Sequence, residues 1–307
     1  MRVLIVTAVP AERDAVVRGV GATAPELAEL PVPGGMLHRL SPAPPTGPPL
    51  TVDVLAAGVG PAAAAAGTAA ALTAAAVART PYDLAVSAGI GGGFSTGRAA
   101  AAGPAVTAPE ATGSGDAGSE AAGPEATGPG DAGSEAAGPV ATATARPTTP
   151  APVTAHLGSV VVADAIVAAD LGAETPDGFA AVTDLGFGTV EHLPPAPLVA
   201  AVAEATDAVR GTVLTVSTVT GSAERAAELL RRHPRAVAEA MEGFGVAEAA
   251  AAQAVPALEV RTVSNAVGPR DRAAWRIGEA LEALTGAFAT IAPLLGTWTF
   301  DPEGTRQ

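Results

Sequence analysis

The chain has no cysteine and no lysine, and only one tyrosine and one asparagine, Asn265, among its 307 residues. Without cysteine there are no disulfides and no thiolate zinc sites. Without lysine there is no phosphate-binding loop of the Gly-Lys type. All 17 basic residues are therefore arginines, set against 31 acidic ones, for a formal charge of −14. That balance disfavours nucleic acid and anionic membrane surfaces, since affinity for either comes largely from cations neutralising phosphate. Strongly apolar runs of roughly 18 residues, the length of a membrane span, are also missing. The Ala-rich stretch after Pro61 is broken by Gly67, Thr68 and Thr73. The apolar start, Val3 to Val6, is too short for the core of a signal peptide. A cytoplasmic protein that takes a small molecule is expected.

Further absences narrow the chemistry. His38, His156, His192 and His233 are scattered without metal-ligand spacing. There is no Gly-x-Ser-x-Gly elbow of a serine hydrolase and no Gly-x-Gly-x-x-Gly dinucleotide fingerprint. No metal and no cofactor is expected.

What is present is an alternation of short apolar strands and helices. Strands are expected at 3–6, 52–57, 84–87, 160–163, 212–216 and 257–264. Helices are expected from Pro10 to about Val20, from the end of Gly58-Val59-Gly60 to Arg79, after Gly221, and from about Arg272 to Ile291. This pattern indicates an α/β domain with a central, largely parallel sheet. Ligands of such sheets sit beyond the carboxyl ends of the strands. The glycine run Gly89-Ile90-Gly91-Gly92-Gly93, read as a loop, Thr218-Val219-Thr220 and Asn265 would gather there.

Residues 99–154 break the pattern. They are almost entirely Ala, Gly, Pro, Thr, Ser and acid, and carry a near-perfect duplication: Pro109-Glu110-Ala111-Thr112-Gly113 recurs as Pro124-Glu125-Ala126-Thr127-Gly128. With no large apolar side chain the segment cannot offset its ordering entropy. It is read as a disordered low-complexity insertion within a single domain spanning 1–307, a kind of insertion that surface loops tolerate at small cost.

Four places could carry chemistry. Glu12 follows the first strand at a helix start, where a carboxylate also suits the helix dipole. Ser87-Ala88-Gly89 leads into the glycine run, which permits close approach of backbone to a ligand but also suits a turn. Glu242 stands between Met241 and Phe244 and could equally be a surface charge. Asn265 closes the last apolar strand, where an asparagine could serve as a cap, with Arg270, Asp271, Arg272 and Trp275 downstream.

In this order and spacing these residues resemble the nucleoside phosphorylase/nucleosidase superfamily, which includes the methylthioadenosine/S-adenosylhomocysteine nucleosidases. Leu171-Gly172-Ala173-Glu174-Thr175-Pro176, Met241-Glu242-Gly243-Phe244 and Val263-Ser264-Asn265-Ala266-Val267-Gly268 are most similar to the futalosine hydrolases of the alternative menaquinone pathway. The resemblance covers all but the insertion and implies a three-layer α/β phosphorylase-like fold. It implies that Glu12 activates water, that Glu242 binds the ribose hydroxyls and stabilises an oxocarbenium-like transition state, and that Met241 packs beneath the sugar. Asn265 would bind the purine at N7 and position 6. Ser87, Ala88, Gly89 and Thr220 would line the ribose and base pocket, and Trp275 would pack on the base or the 5′ substituent. Adenosine-type relatives place Asp where Asn265 stands. An amide that donates to a 6-oxo oxygen favours hypoxanthine.

Arg270 or Arg272 is a candidate partner for futalosine's carboxylate. Relatives usually dimerise, and Phe187 resembles the residue that reaches into the neighbouring site, so a homodimer or higher homo-oligomer is implied. The alternatives are a 6-oxopurine nucleoside phosphorylase or a methylthioadenosine/S-adenosylhomocysteine-type nucleosidase. The first would need basic residues to hold phosphate, and the approach to the glycine run, Asp83-Leu84-Ala85-Val86, has none.

Overall fold

Contiguous apolar runs bury on both faces of a sheet, and the first, Val3 to Val6, is fully enclosed. It forms the centre of β1 (Arg2–Thr7), and Pro10 then opens α1 (Pro10–Gly21), a position where a missing N–H costs nothing. The hairpin β2 (Leu27–Val32) and β3 (Gly35–Leu40) precedes β4 (Thr51–Ala56), α2 (Pro61–Val77) and β5 (Leu84–Gly93). After β6 (Val160–Ala168) come a small hairpin, β7 (Gly172–Thr175) and β8 (Gly178–Ala181), and the short β9 (Glu191–His192). The chain continues through α3 (Ala196–Thr206), β10 (Val209–Thr215), α4 (Ala223–Arg232), β11 (Ala236–Ala240), α5 (Gly243–Ala251), β12 (Ala257–Ala266) and α6 (Ile277–Thr297). These elements come from a computed structural model that describes residues 1–22, 26–42, 49–94 and 154–298. Apart from Thr154, the segment expected to be a low-complexity insertion lies outside the described residues.

The main sheet runs β11-β10-β6-β12-β5-β1-β4-β3-β2, with β9 added beside β6. Its middle is parallel, β12 beside β5, β5 beside β1 and β1 beside β4, while β2, β3 and the β6–β12 contact are antiparallel. β11 also pairs antiparallel with β5, so β11, β10, β6, β12 and β5 close into a ring. One face is covered by α1, α3 and α6, whose Val16, Val202, Leu284 and Phe288 pack with Val3, Ile5 and Val86. The other face is covered by α2 and α5, through Ala71, Leu72, Val246 and Ala250 against Leu4, Val6 and Ala85. This is the three-layer α/β arrangement. By length and composition α6 could cross a membrane. Instead Ala280, Leu284, Phe288, Ile291 and Leu295 are buried in the sheet-facing core.

The structure departs from the sequence reading at three places that matter for the site. The glycine run is strand, not loop: β5 continues to Gly93, with β12 on one side and β11 near its end. Ala236–Ala240, an alanine-rich stretch in sequence, is a buried strand because sheet context overrides weak intrinsic preference. The last helix starts at Ile277 rather than Arg272. A 3-10 turn over Arg272–Ala274 precedes it, and the chain is tied back where Arg276 N–H donates to the Ser264 carbonyl at 2.8 Å.

Away from the carboxyl ends of the strands, the fully buried Asp53 accepts from Arg39 Nε and Nη2, both at 2.7 Å, from Arg2 at 3.2 Å and from the Tyr82 hydroxyl at 2.6 Å. Burial, together with Asp53, pushes the Tyr82 phenol well above its ordinary value. Asp53→Ala strands these partners and is expected to cost about 3 kcal/mol in urea unfolding, with turnover per folded molecule unchanged.

Candidate active site

A cavity of about 380 Å³ opens at the carboxyl ends of β1, β5, β11 and β12. Its lining includes Glu12, Ile90, Gly91, Gly92, Thr220, Glu239, Met241, Glu242, Asn265, Arg270 and Trp275. Glu12 reaches it from the first turn of α1. One of its oxygens accepts from Ile90 N–H at 2.9 Å, the other from Ala8 and Val9 N–H at 3.0 and 3.3 Å. Glu242 directly precedes α5 and turns its carboxylate away from that helix, accepting from Gly60 N–H at 3.2 Å and from Arg261 Nη1 at 3.1 Å. Both carboxylates are held by fixed donors, so neither must reorganise to act.

The hub of this arrangement is Arg261, a wholly buried cation on β12. Besides Glu242 it donates from Nε to Glu259 at 2.9 Å and from Nη2 to the Ser87 hydroxyl at 2.8 Å. Glu12 is its neighbour too: a Cβ placed on Gly89 would meet Glu12 Oε1 at 2.6 Å and Arg261 Nη1 at 2.8 Å. Burial works against the charged guanidinium, but Glu259, Glu242 and Glu12 outweigh it and hold Arg261 above its ordinary value. Burial pushes the Glu12 carboxyl up, with Arg261 and the Ile90 N–H pulling the other way. Burial likewise pushes Glu259 up, against the attraction of Arg261.

Across the cavity, a bulge in β12 between Val263 and Asn265 redirects the end of the strand. The amide of Asn265 accepts from the Ser264 hydroxyl at 2.9 Å and donates to the Ala266 carbonyl at 2.9 Å. Glu239 accepts from Thr220 N–H at 2.8 Å and from the Thr220 hydroxyl. Burial pushes this carboxyl up as well, and the Thr220 bonds oppose the shift. Arg270 lies over the Trp275 ring at 5.5 Å. Arg272 is 5.9 Å from the same ring but does not line the cavity.

Glu12, Glu242, Asn265, Thr220, Met241, Trp275 and Arg270 thus meet in one cavity. Ser87 and Ala88, expected in the lining, are instead fully enclosed. The extra length of β5 moves the lining to Ile90, Gly91 and Gly92. Ser87 lies beneath the site as a partner of Arg261, and Gly89 leaves room for Glu12 and Arg261 to approach each other. Phe187 is 69% exposed and outside the lining. Sequence reasoning missed Arg261, Glu259 and Glu239. Their signal was present, as charged residues inside otherwise apolar strands.

The sequence profile of the phosphorylase superfamily matches residues 153–293. The fold agrees: the nucleosidase for 5′-methylthioadenosine and S-adenosylhomocysteine from Neisseria meningitidis, solved with methylthio-immucillin-A, superposes with a TM-score of 0.63 at 14% identity. That superposition covers 97% of this chain and 99% of the other. Within this class a particular family stands out. A futalosine hydrolase of Streptomyces coelicolor is 56% identical over 97% of this chain and 98% of its own length. One of Acidothermus cellulolyticus is 46% identical over 49% of this chain and 62% of its own. The chain belongs to the futalosine hydrolase family.

Gly243, the first residue of α5, lies against the cluster: a Cβ there would fall 2.1 Å from Glu259 Oε2. Helix propensity favours Gly→Ala by about 1 kcal/mol, but here overpacking outweighs it. Gly243→Ala is expected to destabilise by about 1–3 kcal/mol in denaturant titration and to lower turnover by displacing the carboxylates.

Proposed function

We propose that the protein hydrolyses the N-ribosidic bond of futalosine, releasing hypoxanthine and dehypoxanthine futalosine in the futalosine route to menaquinone. The observation that carries this reading is the convergence of Glu12 and Glu242 on Arg261 in a cavity whose far wall holds Asn265. Breaking the C1′–N9 bond leaves positive charge on the ribose and negative charge on the base. Glu242 lies where it can bind the ribose hydroxyls and stabilise the cation, and Met241 forms the floor beneath the sugar. Glu12 takes a proton from water as the hydroxyl oxygen bonds to C1′. The base takes a proton from solvent at N7 as it departs, with Asn265 accepting from that N–H and donating to the 6-oxo oxygen, and the proton on Glu12 is released to solvent in its place, so that one water is consumed in all.

Water is favoured over phosphate as nucleophile by the charge of the lining. Among the described residues it carries Glu12, Glu239 and Glu242 against the single cation Arg270, and Arg261 is engaged behind them. Arg13, next to Glu12 in sequence, is turned to Asp14 at 2.7 Å. Arg270 over Trp275 is the candidate for futalosine's carboxylate, and Arg270→Ala should raise KM far more than it lowers kcat. The same reading makes the protein a cytoplasmic homo-oligomer in which exposed Phe187 meets a neighbouring subunit. Strands β5 and β6, which flank residues 95–153, lie in one sheet, and this supports a single domain carrying an insertion at 99–154.

The direct test is hypoxanthine release from futalosine in phosphate-free buffer. Release at a rate unmoved by added phosphate is expected, whereas turnover that requires phosphate would make this a phosphorylase. Glu12→Gln should lower kcat by about 10²–10⁴-fold, the usual worth of a general base. Because Glu12 must be ionised and its pKa is raised, kcat/KM should fall with decreasing pH along a limb centred above the ordinary glutamate value of 4.5.

A further inference from the structure

One buried carboxylate in the cavity has no part in bond cleavage: Glu239, on β11. In the sheet register Gly92 is paired on one side with Glu239 of β11 and on the other with Asn265 of β12. Residues paired across neighbouring strands project to the same face. Glu239 and Asn265 therefore stand on one face, two strands apart, or roughly 9–10 Å between backbones, and both line the cavity. A Cβ on Gly92 would meet Val267 Cγ2 at 2.8 Å and Asn265 Nδ2 at 3.3 Å, so only glycine fits where the Asn265 amide leans over β5. The two residues thus stand at opposite ends of one stretch of the cavity wall.

The two ends differ in chemistry. The amide of Asn265 offers a donor and an acceptor. Glu239 offers only acceptors while ionised, and its two bonds from Thr220 leave lone pairs free. A 6-oxopurine bound through N7 and O6 at Asn265 presents its N1–H to the opposite side. A 6-aminopurine presents a bare N1 lone pair there. We propose that Glu239, held by Thr220, accepts the N1–H of the base and is a specificity-determining residue for 6-oxopurine over 6-aminopurine nucleosides. This rests on the proposed nucleosidase reading and assigns the N1 side of its base site. It also makes Thr220 a positioning residue, which acts by aiming the carboxylate.

The test compares kcat/KM for futalosine and for its 6-amino analogue in the wild type and in Glu239→Gln. The wild type should favour the 6-oxo substrate, and the variant should lose about tenfold or more of that ratio, the usual scale for mispairing a buried polar group. An equal fall for both substrates would make Glu239 a mere prop for the 220 loop and overturn the proposal. A 1-deaza analogue of the 6-oxo substrate, which lacks the N1–H, gives the same information without mutation. The wild type should process it about tenfold or more less well, and indifference to its loss would sink the idea even if Glu239→Gln fails to fold. Binding of the free bases, measured by calorimetry, separates this proposal from the hydrolytic one. Preference for hypoxanthine over adenine that vanishes in Glu239→Gln supports Glu239 even if futalosine is not cleaved, and equal binding of the two bases by the wild type counts against it.

Discussion

The structure turns on one buried cation. Arg261 has no solvent contact, and Glu242 and Glu259 bond to it while Glu12 lies alongside. If all three carboxylates were ionised, the cluster would carry two uncompensated negative charges away from water. Burying such charges is costly even when they are paired. The strain is visible in the upward push on Glu12 and Glu259 and in Glu259 Oε2, a buried oxygen with no hydrogen-bond partner. A cluster of this kind is poor evidence for stability. Under the proposed mechanism such a cluster has a use, because it would present fixed negative charge to the ribose without assembling that charge anew for each turnover.

The sheet delivers these groups with little freedom. β12 carries Glu259 and Arg261 at alternate positions behind the cavity, then shifts register at its bulge, beyond which Asn265 lines the cavity itself. Beside it, β5 supplies glycines where the neighbours approach most closely. β11 crosses the end of β5 in the antiparallel sense and brings Glu239, Met241 and Glu242 into the cavity within a few residues. The chemistry proposed for the ribose and the recognition proposed for the base thus come from two sides of the same strand ends.

Much of this was legible in the sequence. Apolar runs marked the central strands, and the spacing of Glu12, Met241-Glu242 and Ser264-Asn265 marked the elements that meet at the site. The glycine run was misjudged because glycine ordinarily weakens strands; here its lack of side chains makes room for Glu12, Arg261 and the β11 backbone. β11 was hidden by its alanines, which favour helix until a sheet surrounds them. Arg261 drew no notice in a chain whose basic residues are all arginines. Charges at positions 259 and 261 of an otherwise apolar strand were the clue, since such residues are buried only when paired. Which partners they would find depends on contacts with Ser87 and Glu242, far away in sequence, and no local pattern encodes that.

The opposition between burial and Arg261 at the Glu12 carboxyl can be measured on Glu12 itself. Its carboxyl titration, followed by carbon NMR in the wild type and in Arg261→Gln, isolates the contribution of the cation. Since Arg261 lowers the Glu12 pKa against the effect of burial, its removal should move the Glu12 midpoint to higher pH. A midpoint that stays in place or falls would contradict the account, because Glu12 would then be tuned by something other than the buried arginine.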